Sequence, residues 1–110
     1  MHERGPVSGA VVALLATAGD RPVTAVTVAL GPGMDPAAAR TAWSAAAAGT
    51  GAATAAVTWS EAPDTLRCLG CGRDYPGDRL TPCPGCGGDG LVIAPAPAVE
   101  LTAWRLGEAR

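Results

Sequence analysis

The stretch that decides the fold is residues 67–90, RCLGCGRDYPGDRLTPCPGCGGDG. It carries Cys68, Cys71, Cys83 and Cys86 in the pattern Cys-x2-Cys-x11-Cys-x2-Cys. This spacing lets two tight turns each offer a pair of thiolates to one tetrahedral ion. A glycine follows each pair, at Gly72 and Gly87, where positive φ and close backbone approach let amide N–H groups point at the sulfurs. Four protein ligands close the coordination sphere and leave no position for a substrate, so the ion is expected to be structural zinc. Four thiolates on a dication leave a net charge of −2, and Arg67, Arg73 and Arg79 stand close in sequence to offset it. The segment has almost no apolar periodicity, so metal is expected to replace a hydrophobic core there.

Working outward from this segment, both flanks read as α/β. Val7, Ala10, Val11, Leu14, Leu15 and Ala18 follow the i, i+3, i+4, i+7 pattern of an amphipathic helix, with Pro6 in its first turn and Gly19-Asp20 as its stop. Val23 to Leu30 is β-branched and alternating, with Val26, Val28 and Leu30 on one face, and Gly31-Pro32-Gly33 breaks it. Asp35-Pro36 reads as the N-cap and first turn of a second helix with an inward stripe of Ala39, Ala42, Trp43 and Ala46, ended by Gly49 and Gly51. Val57 and Trp59 alternate with Thr58 and Ser60 in a second strand that closes at Pro63. After the cysteines, Ala94-Pro95-Ala96-Pro97 reads as a stiff connector, and Val99, Leu101 and Ala103 resume strand alternation, returning to the first sheet. The expected class is α+β: two helices on a small three-stranded sheet, with an inserted zinc-ribbon-like four-cysteine module. The expected division is 1–64 with 95–110 as an α/β domain and 65–94 as the zinc-binding module.

Composition narrows the function. The chain has 110 residues and a net charge of −2, with eight arginines, no lysine and ten acidic residues. It lacks the basic surplus that phosphate-backbone binding uses, which argues against nucleic acid as a partner. No Phe is present and much of the apolar content is Ala, so the core is expected to be thin and to favour a metal staple. No apolar run reaches the ~18 residues of a membrane span, and the N-terminus lacks the features of a signal peptide. The expectation is a cytoplasmic protein, and in that reducing compartment paired Cys-x-x-Cys motifs favour metal over disulfides. With a single histidine and no Ser/His/Asp or paired-carboxylate constellation, the chain is not expected to be an enzyme.

That histidine stands in Met1-His2-Glu3. With Met1 retained, its α-amine, the next backbone amide and the His2 imidazole chelate a metal through fused rings in one plane. Such a nitrogen set favours Ni(II) or Cu(II), and Glu3 adds a carboxylate oxygen or its own amide nitrogen. Weighed on the residues alone, a histidine at position 2 more often belongs to a frayed terminus with no role.

The order Met1-His2-Glu3, a strand ending in Leu30-Gly31, the Asp35-Pro36 helix start, Pro63 before Cys68, and the two cysteine knuckles resembles the HypA family, called HybF in some paralogues. These are nickel metallochaperones of [NiFe]-hydrogenase maturation. The resemblance covers essentially the whole chain. It implies nickel binding by Met1, His2 and Glu3, with Ni(II) as the transported metal, and structural Zn(II) on Cys68, Cys71, Cys83 and Cys86. It also implies work with a HypB-type GTPase, delivery to the [NiFe]-hydrogenase large subunit, and in some members a link to urease maturation proteins. Three features depart from the family pattern. Arg4-Gly5-Pro6 replaces a more apolar helix start, so that the helix would begin later. Ala98 stands at a usual Gly, and Trp43 and Trp59 stand for smaller or Phe-like core residues.

Two other readings follow from the cysteines. One is a zinc-ribbon interaction module without nickel chemistry, for which only Tyr75 and a few arginines supply a binding face. The other is a rubredoxin-like electron carrier, since Cys68-Leu69-Gly70-Cys71-Gly72 and Cys83-Pro84-Gly85-Cys86-Gly87 resemble rubredoxin knuckles and tetrahedral thiolates also suit iron. The short interval between the pairs and the absence of an aromatic shield count against the latter.

Overall fold

A computed structural model describes residues 4–108. Met1, His2 and Glu3, the expected nickel ligands, lie outside the described residues.

Helix α1 (Arg4–Ala18) buries Val7, Val11, Leu14 and Ala18 along one stripe, the face that the 3.6-residue period selects. The helix already includes Arg4, Gly5 and Pro6; the later start that these residues suggest does not occur, because Pro is tolerated where the first-turn N–H has no helical partner. Strand β1 (Val23–Leu30) follows and sinks Val23, Val26, Val28 and Leu30 into the core. Helix α2 (Pro36–Ala47) starts at Asp35, whose carboxylate accepts from the Ala37 N–H at 3.2 Å. The cap satisfies one of the donors that a helix start leaves open.

Strand β2 (Ala56–Glu61) runs parallel to β1, pairing Val28 with Trp59. On the other side of β1 lies β6 (Val99–Leu106), antiparallel and pairing Val28 with Leu101. The sheet order is therefore β2-β1-β6, as the alternation of the three segments suggests. Both helices pack on one face of it. Trp43 of α2 meets Trp59 of β2 edge to face, with centroids 6.0 Å apart at 85°, a geometry that aromatic quadrupoles favour. This pair supplies bulk that an Ala-rich core otherwise lacks.

A second sheet is made by β3 (Asp64–Cys68), β4 (Asp74–Gly77) and β5 (Gly90–Ala94), in the order β4-β3-β5 and antiparallel throughout. It carries a small core of its own: Leu66, Tyr75, Cys68 and Cys83 are buried, with Val92 packed against them. The cysteine-rich segment is thus not held by metal alone. The Tyr75 hydroxyl, within the interior, donates to the Thr81 carbonyl at 2.7 Å.

Two linkers join the sheets, and three hydrogen bonds pin them. Ala62 N–H donates to Leu30 C=O at 2.8 Å, Gly31 N–H to Ala98 C=O at 3.0 Å, and Ala96 N–H to the Asp64 carboxylate at 2.7 Å. Gly31 lies so close to the returning chain that a Cβ there would sit 2.6 Å from the Pro97 carbonyl oxygen. Ala98 accordingly serves the return through its backbone, without needing glycine's freedom.

Candidate metal centre

The four cysteines reach one point because two loops of the same design face each other. In the first, β3 ends at Cys68, whose N–H donates to Arg73 C=O at 2.8 Å, and Gly72 N–H returns to Cys68 C=O at 3.0 Å. In the second, Cys83 N–H donates to Gly88 C=O at 2.9 Å, and Gly87 N–H returns to Cys83 C=O at 2.8 Å. Gly72 and Gly87 close these turns at φ 76° and 74°, the left-handed region that L side chains occupy only at a cost. The loops are tied together by Leu69 N–H donating to Asp89 C=O at 2.9 Å.

Each loop offers one buried and one exposed sulfur: Cys68 and Cys83 are buried, Cys71 and Cys86 exposed. All four Sγ atoms lie within 4.8 Å of one another. Across the loops, Cys68 and Cys86 are 3.4 Å apart and Cys71 and Cys83 3.7 Å. A tetrahedral zinc ion with Zn–S bonds of about 2.3 Å needs sulfurs about 3.8 Å apart. The cluster has that size, and all four cysteines are free thiols.

Backbone donors prepare the buried sulfurs for the thiolate form. Cys68 Sγ accepts from Gly70 N–H at 3.3 Å and Cys71 N–H at 3.4 Å, and Cys83 Sγ from Gly85 N–H at 3.4 Å. The Cys71 N–H above all, helped by the Cys86 thiol and Gly70 N–H, outweighs desolvation and lowers the Cys68 thiol to about 6. The Cys86 and Gly85 N–H groups lower Cys83 in the same way. Cys86 moves the opposite way: its Gly88 N–H contact pulls it down, but the sulfurs of Cys68 and Cys71 and desolvation outweigh that and raise it to about 11. The metal-free cluster therefore favours thiolate at Cys68, eases ionisation of Cys83 and keeps a proton on Cys86. Tyr75, raised by burial and by the nearby thiolates, stays a neutral donor.

Of the arginines expected to offset the thiolate charge, only Arg73 leans on the knuckles. Its guanidinium lies over Gly85, where a Cβ would meet Nη1 at 3.0 Å. Arg67 instead pairs with Asp74 across β3 and β4, with Nε–Oδ1 at 2.8 Å. Arg79 lines a cleft with Pro32, Gly33 and Asp64 at the linkers.

From sequence, Pro63 and Ala94–Pro97 read as connectors, not as the border of a cleft. A cleft of about 600 Å³ opens between the sheets, with Met34, Arg40, Trp59 and Glu61 on one wall and Gly77, Asp78 and Thr81 on the other. The Arg40 guanidinium sits 6.0 Å from the Trp59 ring centroid, within reach of a cation–π contact. Next to it, Pro6 at the start of α1 lines a second depression with Gly31, Pro32, Asp64 and Pro95. The only signal for this arrangement was the density of Pro and Gly in three separate segments.

Two helices on a three-stranded sheet, joined to a second sheet bearing four convergent thiols, define a small α+β metal-binding protein. Comparison with known proteins makes the assignment particular. A family model described as "Hydrogenase/urease nickel incorporation, metallochaperone, hypA" matches residues 1–104, and the chain belongs to the HypA family. No curated protein matches the sequence. Among solved structures, the chain is similar to the solution structure of the Ni metallochaperone HypA from Helicobacter pylori. The two are 17% identical with a TM-score of 0.59, covering 92% of this chain and 94% of that one. It is also similar to a structure described as the solution structure of HypA protein, at 15% identity and a TM-score of 0.56, covering 91% and 92% of the two chains. These likenesses establish the shared fold.

Proposed function

We propose that the protein binds Ni(II) at Met1, His2 and Glu3 and hands it on for [NiFe]-hydrogenase maturation, while Cys68, Cys71, Cys83 and Cys86 hold structural Zn(II). The observation that carries the reading is the family match, which begins at residue 1 and so includes the Met-His-Glu segment as well as the cysteines. Residues 1–64 and 95–110 form the nickel-binding domain and 65–94 the zinc module. The chemistry is binding and release, without covalent catalysis. The HypB-type GTPase, the hydrogenase large subunit and urease maturation proteins are the partners, and the cytoplasm is the compartment. No described helix is long and apolar enough to cross a membrane.

The fold supports a terminal site. Three residues span at most about 11 Å, so a nickel ion held by them lies close to Arg4 and the start of α1. Pro6 brings that helix end beside both linkers. The positive end of the helix dipole favours negative charge, which suits a chelate in which backbone amides and a carboxylate supply the ligands. Zinc on the four thiolates adds folding free energy to a module with few apolar side chains.

Nickel affinity tests the reading. The α-amine (pKa ~8) and imidazole (pKa ~6.5) must both lose protons to bind, so affinity is expected to fall steadily as pH drops from mildly alkaline to mildly acidic. His2→Ala is expected to remove most nickel binding while leaving zinc content at one per chain. A flat pH profile, or full nickel affinity in His2→Ala, would move the site elsewhere.

A further inference from the structure

The edge strand β6 offers a surface that no metal chemistry uses. Among the described residues its outer side is unpaired in the sheet order β2-β1-β6, and Trp104 on it remains 42% exposed. Its sequence, Val99-Glu100-Leu101-Thr102-Ala103-Trp104-Arg105-Leu106, is self-complementary about the midpoint between Thr102 and Ala103. Reversed, it sets acid against base and apolar against apolar.

The backbone has the same symmetry. Gly31 N–H donates to Ala98 C=O at one end of the ladder, and Gly107 N–H to Pro22 C=O at the other. Alternation from these two ends turns the backbone groups of Ala98, Glu100, Arg105 and Gly107 toward β1 and leaves those of Val99, Leu101, Trp104 and Leu106 facing outward. The phases meet at the register shift where Thr27 pairs with Ala103 and Val28 with Leu101, a bulge that takes up Thr102. An unbulged strand could not pair Leu101 with Trp104 about such a centre, because residues three apart would point to opposite faces. Here both lie on the helix face, beside the buried Val28 and Val26, while Glu100 and Arg105 lie on the opposite face beside Ala29 and Ala25.

We propose that two copies of this chain join through β6 in antiparallel register, Leu101 opposite Trp104 and Glu100 opposite Arg105 of the second copy. The result is one continuous six-stranded sheet. Outward backbone groups of Leu101 and Trp104 exchange hydrogen bonds across the two-fold axis, as isologous contacts require. Glu100 and Arg105 face their partners at non-hydrogen-bonded positions, where side chains approach more closely, and give two opposite-charge pairs per dimer. Leu101 covers the exposed Trp104 ring. Charges and bulges on an edge normally discourage pairing; placed symmetrically, they select this register, because a slip that aligns Glu100 or Arg105 with its own copy opposes like charges. Arg21 leans over the Leu106 carbonyl, with Nη2 at 3.5 Å, and so ends the ladder there. The antiparallel arrangement sends the two cysteine modules to opposite ends, which leaves both linkers open.

Sedimentation equilibrium of the zinc-loaded full chain tests the proposal, with the single reversals Glu100→Arg and Arg105→Glu and the double swap. Both positions are exposed, and circular dichroism checks that each variant is folded. The expected result is a concentration-dependent dimer that each single reversal weakens roughly 10- to 30-fold, since reversal turns attraction into repulsion at both symmetric positions. The double swap should restore association to within a few-fold. A wild-type chain that stays monomeric at every concentration overturns the proposal, as does a dimer indifferent to both single reversals. So does a monomer whose β6 resonances shift only when another protein is added, because the second copy would then be the wrong occupant.

Discussion

Removing metal from the four-cysteine site should unfold one sheet and spare the other. Stripping the protein with a strong chelator under reducing conditions leaves the second sheet with Leu66 and Tyr75 as its large buried side chains and Val92 as a partly covered neighbour. Burying two such side chains contributes about 3–6 kcal/mol. Ordering backbone costs about 1–2 kcal/mol per residue, so those side chains cannot hold residues 64–94 in place. A structural zinc ion contributes about 10–16 kcal/mol in comparable small modules. The first sheet has no such dependence, since α1, α2 and β1 bury Val7, Val11, Leu14, Val26, Val28 and Trp43 against one another. Amide–nitrogen correlation spectra before and after chelation are the assay. Resonances of Leu66, Tyr75 and Val92 should collapse to random-coil positions while those of Val26, Val28 and Trp43 hold, and added zinc should reverse the change. Dispersed, exchange-protected Leu66 and Tyr75 amides in the metal-free protein would refute the reasoning, because the module would then fold on its apolar core alone.

Three further outcomes follow from the same geometry. Gly72→Ala places a Cβ at φ 76°, which costs about 1–2 kcal/mol; competition with a zinc indicator should show weaker retention by about one order of magnitude, with the first core unchanged. Trp43→Ala removes a buried ring and its edge contact with Trp59, and denaturant unfolding should show a loss of about 3–5 kcal/mol without loss of zinc. Proton release on zinc binding should depend on pH in a stated direction. Cys68, lowered to about 6, passes from mostly thiolate at pH ~7 to mostly protonated at pH ~5.5, so calorimetry in buffers of different ionisation enthalpy should find more protons released at the lower pH. Cys86, raised to about 11, gives up its proton at both.

Spacing carried most of what could be read before the structure. Cys-x2-Cys pairs with a trailing glycine constrain a loop so tightly that the cluster and its two positive-φ turns were legible from residues 68–87. Helical and strand periods placed α1, β1, α2, β2 and β6, and the Asp35 cap marked a helix start. The second sheet was not legible. Its strands are DTLRC, DYPG and GLVIA, short and interrupted by Asp, Gly and Pro, residues that strand propensity disfavours. Pro76 is accommodated because β4 is an edge. These strands owe their pairing to the knuckles that join them, a tertiary cause invisible to local pattern. The bond from Ala96 to Asp64 spans 32 positions, and no local pattern announces such a contact. Arg67 also misled, since its nearest charge in sequence was the cluster but its nearest in space is Asp74 across the ladder.

The central claim is that nickel is bound by the chain's own terminus, and one titration tests it most directly. Nickel affinity of the native-start protein is compared with that of a form carrying two extra residues before Met1, each loaded with zinc. In the proposed site the α-amine and the His2 imidazole would share a fused chelate that the extension breaks, so the extended form should bind markedly more weakly while its zinc content and fold stay the same. Equal affinity in the two forms would contradict the account and place nickel on other residues.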